Sequence, residues 1–542
     1  MNDTENLNLK HKVAKYYDEF TKLASKSFKV VTEQGFRTFL LLATEKIKRQ
    51  EFTVLNRSSS NILPSGSNSL HEFVTYLAQR FGCTHVIDVT CRSASNLADL
   101  YSGLQVIGIN IGKMLRLGHE LREYEASIEC SLDDLPNIPI SYDMIKRSAI
   151  VCTGVIEYLG NPTYFLENLK RWLNYAPVCI LSIPQRDLIH RNHETNSSAN
   201  TGVARKWNPT ELETLLRTQG FNLAFIGLNA NIGTDFETNE IIAVIEKNIQ
   251  SNNGLAAPRY RNHISDFRVV TIMPAYNEED IIVPSIKHLV DQGIGVYLID
   301  NWSTDTTYDL AKQFIKKGLV GIERFPRDGP SRYFDFRGIL RRIEQVSRTI
   351  EADWLVYQDV DEVRMSPWAG MSYKEGIYEV DRTGFNSIDH TTIMFNPVDN
   401  NYVPASDFEA YFKYFEFAKR QLPQIKAWKN LRHHISLVAS GGHQVRFGGR
   451  KVYPYNFLIK HYRIRSQQHG EKKVFLERKS RWMPEESARG WHIQYDNVKE
   501  GQSFLRLASD LEFFDEVSFN KMYLIERLSG IGAARKTFRT AC

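Results

Sequence analysis

Cysteine is scarce in the 542 residues: Cys83, Cys91, Cys130, Cys152, Cys179 and Cys542 are the only six, and none forms a CxxC pair or a metal-ligand spacing. A disulfide scaffold and a zinc module are therefore not expected, and reduced, buried thiols are. Long apolar runs are also missing. Phe39 to Ala43 is typical of what there is, far below the ~20 residues needed to cross a bilayer, and the N-terminus carries Lys and Glu where a signal peptide would be apolar. The expected location is cytoplasmic, with no transmembrane segment. An excess of one charge is absent too, because 68 Lys and Arg stand against 63 Asp and Glu, a net of +5 that gives no general affinity for nucleic acid. Glycine (32) and proline (18) are too few for collagen-like or low-complexity chains. What remains is an ordinary globular composition, 42% hydrophobic and 24% charged, with room for roughly two to four domains.

Residues 1–70 read as a helical extension followed by a loop. Val13, Tyr16, Tyr17 and Phe20 share a helical face, Phe36, Phe39, Leu40 and Leu41 follow, and Asn56 to Ser69 is rich in Ser, Asn, Gly and Pro. From 71 to 247, β-branched runs alternate with helical patterns: Val86 to Val89, Val106 to Ile109, Ala149 to Cys152, Val178 to Leu181 and Ile241 to Ile245. Such alternation predicts an α/β, doubly wound parallel sheet. Apolar periodicity lapses at 248–266, which is read as a linker. It resumes over 267–542 with Val269 to Met273, a helix from Glu279, Val296 to Asp300, a helix from Thr304, a short strand near Val320, a helix Arg332 to Thr349 and the strand Trp354 to Tyr357. Helices near Ser503 to Phe514 and Ser518 to Ser529 are expected to close the chain.

Acidic and amide side chains cluster where these strands end. Asp359 and Asp361 follow the apolar Trp354 to Tyr357, and side chains two apart in extended backbone share a face, so both carboxylates can converge on one hard cation. A solvated strand-end turn would look the same. Pro274 to Glu279 leaves the first strand of this half, and Asp300 to Asp305 leaves the second, each opening a helix whose N-terminal amides can bind a ligand or simply be capped. In open α/β sheets the carboxyl ends of the strands are where ligands bind. Between Arg446 and Arg481, eleven Lys and Arg outnumber Glu471 and Glu477, an excess that suits a phosphate, a peripheral membrane contact or a solvated face.

Taken in order, PAYNEE, LIDNWSTDTT and WLVYQDVDE resemble the nucleotide-binding half of a family 2 glycosyltransferase with the GT-A fold. The resemblance covers about Val269 to Phe475, and Lys460 to Gly470 looks like the element whose His approaches the metal. It implies that Tyr276, Asn277, Glu278, Asp300, Asp359 and Arg463 bind a nucleotide-sugar, with UDP favoured, and that Asp359, Asp361 and His461 bind manganese or magnesium. Arg463, Arg465, Lys472 and Lys473 would add positive field. The acceptor would be a glycan, a lipid-linked glycan or a protein, in cell-surface polysaccharide synthesis. An inverting reaction also needs a general base. Asp389 is the candidate, with a structural role as the alternative, and His443 in Gly441-Gly442-His443 either binds acceptor or steadies its loop.

The first half, about His71 to Glu246, resembles a class I methyltransferase that binds S-adenosylmethionine. It departs where cofactor contact matters: Thr90, Arg92 and Ala94 stand where the family has a Gly-rich turn, and Asn110 stands where it has an acid for the ribose. The expectation is a degenerate domain used for packing, acceptor contact or assembly, without S-adenosylmethionine. A bifunctional methyltransferase and glycosyltransferase, and a non-catalytic glycan-binding scaffold, are the alternatives.

Overall fold

Strands form here where β-branched runs can be buried on both faces. In the computed structural model of the protein, β1 (His85–Thr90), β2 (Gln105–Ile111), β3 (Ser127–Cys130), β4 (Ser148–Thr153), β5 (Val178–Pro184), β6 (Asn222–Asn229) and β7 (Glu240–Glu246) make one sheet in the order β3-β2-β1-β4-β5-β7-β6. All neighbours are parallel except β7, which runs antiparallel to both β5 and β6. Ala149 to Cys152 of β4 and Ile241 to Ile245 of β7 are almost wholly buried, as central strands covered on both faces require. The crossover helix Pro209–Thr218 starts where Asn208 accepts from the Glu211 amide (2.8 Å) while the Glu211 carboxylate accepts from the Asn208 amide (3.3 Å), and Pro209 suits its first position.

The structure describes residues 67–90, 100–111, 127–130, 140–159, 161–185, 207–229, 240–247, 264–487, 491, 495 and 497–533. Residues 1–66 of the expected N-terminal extension, most of the linker, and Arg92 and Ala94 of the turn after β1 lie outside the described residues, while Ser67 to Ser69, expected as the end of the loop, open helix Ser67–Arg80. Among the described residues no helix is long and apolar enough to cross a membrane.

The second half holds two sheets. β8 (Val269–Ala275), β9 (Ile294–Asp300), β10 (Leu319–Arg324) and β11 (Trp354–Tyr357) are parallel; β16 (Ala427–Lys429) runs antiparallel to β11, and β13 (Ser387–Ile388), antiparallel to β16, runs with the first four, in the order β10-β9-β8-β11-β16-β13. β12 (Glu362–Met365), β14 (His390–Phe395), β15 (Tyr414–Phe417), β17 (Phe457–His461) and β18 (Glu512–Phe513) form the other, ordered β12-β17-β14-β15-β18. This second sheet places His461, last in β17, directly across from Glu362, first in β12.

Two expectations are corrected. The helix expected from Arg332 begins at Phe336, where Asp335 accepts from the Gly338 amide (2.7 Å), and ends at Val346. Ser503 to Phe514 is not a helix but an extended segment with one short 3-10 turn, Ala508–Asp510, leading into β18. Its helix-like apolar spacing is overridden by tertiary contacts: Phe504 lies on the backbone of Gly470, where a Cβ would be 2.4 Å from its ring, and the Arg506 amide donates to the Pro397 carbonyl (2.9 Å).

The chain then returns to the first half. Helices Glu516–Met522 and Leu524–Ser529 cross β6, where a Cβ on Gly227 would stand 2.9 Å from the Lys521 carbonyl oxygen. Glycine is required at that crossing because backbone meets backbone. Tyr76 donates to Asn456 (2.7 Å), and Phe225 stacks on Trp368 with ring centroids 6.1 Å apart. Buried Phe73, Leu77 and Phe225 of the first half share one apolar core with Tyr455, Phe457, Leu524 and Leu528 of the second.

Candidate active site

β11 ends in the turn Gln358 to Asp361, and a buried cation shapes it. Arg364 donates to the Tyr357 carbonyl (2.8 Å), to Glu362 (2.7 Å) and to Gln358 (3.2 Å), so one guanidinium fixes both flanks of the acidic pair. Asp361 is buried, with its Oδ1 3.3 Å from His461 Nε2 and its Oδ2 2.9 Å from Lys473 Nζ. Burial alone would raise its carboxyl pKa, but Lys473 and then His461 outweigh that and hold it well below the usual range. The Asp359 side chain is 40% exposed, accepts from Tyr357 Oη (3.2 Å) and lies 3.9 Å from Lys426 Nζ. Of the three expected metal ligands, Asp361 and His461 are thus in contact from a hundred residues apart, while Asp359 turns its carboxylate to Tyr357 and Lys426.

The turn after β8 supplies the next wall. Asn277 has a left-handed backbone (φ 54°), which Asn tolerates, and stitches the first two strand-end loops together. Its amide oxygen accepts from the Thr304 amide (2.8 Å), and its side-chain nitrogen donates to Glu477 (2.8 Å). Glu278 is buried between Arg465 (2.6 Å) and Lys473 (2.9 Å). Tyr276 faces the Arg481 guanidinium, 4.0 Å above its ring.

At the end of β9, Asp300 is fully buried. Its Oδ2 accepts from the Ser303 amide (3.1 Å) and lies 3.5 Å from Arg324, whereas its Oδ1 has no hydrogen-bond partner among the described residues. Burial raises its pKa. A buried carboxyl oxygen without a protein partner is uncommon, and a proton, a water or a ligand donor would each satisfy it.

Sequence reasoning assigned Arg465 and Lys473 only to a diffuse field, and the structure gives them specific partners. Arg465 grips both oxygens of Asp280 (2.6 and 2.8 Å) as well as Glu278, and Lys473 bridges Glu278 and Asp361. Lys473 begins a π-helix, Lys472–Arg478, that also carries Glu477 to Asn277. Lys426, buried beside Asp359 and 3.2 Å from Glu362, carried no sequence signal. Glu278, Asp280 and His469 are close enough to share an ion, yet the Arg465 guanidinium already supplies the positive charge to both carboxylates.

The remaining sequence candidates fall elsewhere. Arg463 lies over the Tyr495 ring (5.3 Å), and its Nε has no hydrogen-bond partner among the described residues. Gly441 and Gly442 make the expected turn with positive φ, and Gly442 packs on Leu340, Phe336 and Tyr357, bringing the exposed His443 to the side chain of Gln424 (3.0 Å). Asp389 is buried, and both its oxygens are engaged: Oδ2 accepts from Arg80 (2.7 Å), and Oδ1 accepts from the amides of His390 (2.9 Å) and Gln424 (2.7 Å). Its side chain joins the two halves, and its partners are Arg80, His390 and Gln424, not Asp359, Asp361 or His461.

Residues 270–427 match the family described as Glycosyl transferase family 2. No curated protein matches the chain. Among solved structures, the chain is similar to the methyltransferase domain of a bacterial CtHen1, at 16% identity over 33% of this chain and 99% of that one, with a TM-score of 0.25. It is similar to S. aureus TarS 1-349 in complex with UDP-GlcNAc, at 12% identity over 38% of this chain and 61% of that one, with a TM-score of 0.23. It is also similar to magnesium protoporphyrin IX methyltransferase (ChlM) from Synechocystis PCC 6803 with bound SAH, at 16% identity over 38% and 99% of the two chains, with a TM-score of 0.22.

Proposed function

We propose, from the premise that residues 270–427 are a family 2 glycosyltransferase domain, that the chain is a metal-dependent glycosyltransferase moving a sugar from a nucleotide-sugar to a glycan, lipid-linked or protein acceptor in cell-surface polysaccharide synthesis. The observation that carries the metal reading is that His461 Nε2 lies 3.3 Å from Asp361 Oδ1 although a hundred residues separate them. Two carboxylates and one imidazole are a donor set suited to manganese or magnesium, so Asp359, Asp361 and His461 are the residues that would hold it. When bound, such a cation stabilises the negative charge developing on the departing diphosphate.

The protein groups supply the rest. The unpartnered Oδ1 of Asp300 suits an imide N–H such as that of uracil, which favours a UDP-sugar donor, with Tyr276, Asn277 and Glu278 on the adjoining wall. Arg463 is a cation for the diphosphate, while the buried Lys473 is held by Glu278 and Asp361. His443, its Nδ1 receiving the Gln424 amide, keeps its proton on Nε2 and is read as a donor to the acceptor, not as the base. Asp389 is read as structural, because neither oxygen is free to take a proton without breaking an ion pair or a backbone hydrogen bond. The first half is read as a degenerate methyltransferase-like domain used in assembly, on the strength of Thr90, Arg92, Ala94 and Asn110.

Calorimetric titration with UDP, GDP and CMP, each with and without manganese, tests the proposal on the natural chain and on Asp361→Ala. Manganese-dependent binding of UDP that the substitution abolishes is the expected result. Metal-dependent binding of none of the three would leave the scaffold reading in its place.

A further inference from the structure

Resting on the reading above, we infer that Arg80, at the end of a first-half helix, is a positioning residue for the transfer site, acting through Asp389 on the segment Gln424 to Lys426. The linkage consists of direct contacts. Arg80 closes helix Ser67–Arg80, with its guanidinium 4.9 Å from the Tyr76 ring centroid and its Nη2 donating to Asp389 Oδ2. Asp389 stands between β13 and β14, where the chain passes from one second-half sheet to the other. Its second oxygen takes the Gln424 amide, so the orientation fixed by Arg80 also fixes that backbone. His390 secures the peptide on the other side of Gln424, its Nδ1 donating to the Gln424 carbonyl (2.8 Å) while its Nε2 accepts from Tyr373 Oη (3.0 Å). Burial keeps this imidazole neutral, as that tautomer needs.

Two lines leave Gln424. Its side chain holds His443, and the next-but-one residue, Lys426, holds Glu362 and lies beside Asp359. The Lys426 carbonyl also accepts from the Tyr357 amide (2.8 Å), tying the segment to the end of β11. None of these contacts involves Asp300, Tyr276 or Asn277. A fault at Arg80 should therefore disturb the Asp359–Asp361 and acceptor side while leaving the nucleoside wall in place, which gives the first half a role in the reaction without any cofactor of its own.

The test uses the full chain as Arg80→Ala, Arg80→Lys and the pair Arg80→Ala with Asp389→Asn. Backbone hydrogen exchange is followed over Gln421 to Val445, and UDP release is measured with manganese from UDP-glucose, UDP-galactose and UDP-N-acetylglucosamine. In Arg80→Ala, exchange over that segment should rise at least tenfold, kcat for UDP release should fall at least tenfold, KM should stay within twofold, and Arg80→Lys should restore most of both. Unchanged exchange there, or an equal rise across β8 and β9, overturns the inference. So does a fall in kcat that lysine does not rescue. If Arg80→Ala does not fold, the paired variant decides, since it removes the stranded buried charge and keeps an oxygen for the Gln424 amide; wild-type exchange in it overturns the linkage. If the natural chain releases UDP from none of the three sugars, the donor reading fails and the exchange result alone decides the linkage.

Discussion

Replacing Lys473 with methionine removes one positive charge and little volume from the centre of the site. Its Nζ is 2.9 Å from both Glu278 Oε1 and Asp361 Oδ2, and the residue is only 4% exposed. At an effective dielectric of ~20, each pair attracts by about 6 kcal/mol, much of it offset by desolvation of the three charges. Breaking a buried pair by removing one partner costs roughly 3–5 kcal/mol. The lower end applies here, because Glu278 keeps Arg465 at 2.6 Å and Asp361 keeps His461 at 3.3 Å. Lys473→Met should therefore lose about 3 kcal/mol, roughly 3 °C in the thermal unfolding of a chain of this length. The same change leaves one more uncompensated negative charge beside the proposed metal ligands. Manganese should then raise the melting temperature of the variant by more than it raises that of the natural chain, corresponding to roughly fivefold tighter binding. Thermal scans of both proteins across a manganese series measure both effects. A loss under about 1 kcal/mol would refute the ion-pair argument, and equal manganese increments in the two proteins would refute the charge coupling.

Two further outcomes follow from other parts of the molecule. Burial would raise the Glu409 pKa, but His288 (2.9 Å) and Lys460 hold it down to about 2, against an ordinary value near 4.5. A depressed acid pKa contributes stability that is complete above the ordinary value and is lost as pH falls through the folded one, so Glu409→Gln should cost about 3 kcal/mol at neutral pH. That difference should shrink between pH 4.5 and 2, as urea unfolding at a series of pH values would show, and a pH-independent difference would contradict the assignment. Titration of the full chain with S-adenosylmethionine should give no micromolar binding, given the side chains at Thr90, Arg92 and Ala94, and micromolar binding would overturn the degenerate reading.

The strand-end acids were legible because their signal is local. An apolar run such as Trp354 to Tyr357 forces a buried strand, and the polar residues that follow must lie at its carboxyl edge. His461 entered only through the family resemblance, yet the pairing of β17 with β12 delivers it to Asp361. The cations were another matter. Arg465 and Lys473 meet Glu278 from 187 and 195 residues away, and no local pattern encodes a partner at such a distance. Asp389 drew attention as an acid in the middle of the second half, and its true partner, Arg80, is 309 residues upstream in what reads as a separate domain. The segment Ser503 to Phe514 misled for the same reason, since the contacts that keep it extended come from Gly470 and Pro397. In each case periodicity reports what a segment buries, and tertiary contact decides against what.

The return of helices Glu516–Met522 and Leu524–Ser529 onto β6 joins the halves by more than the connecting peptide. With Leu524 and Leu528 seated in a core that also contains Phe73 and Phe225, a cut anywhere between residues 248 and 263 would leave two fragments clasped by apolar contact, whereas trimming from Glu516 onward would bare an oily surface on each. Expression of either half by itself would meet that difficulty as insolubility, and exchange of one half for a relative's would require the tail to be exchanged with it.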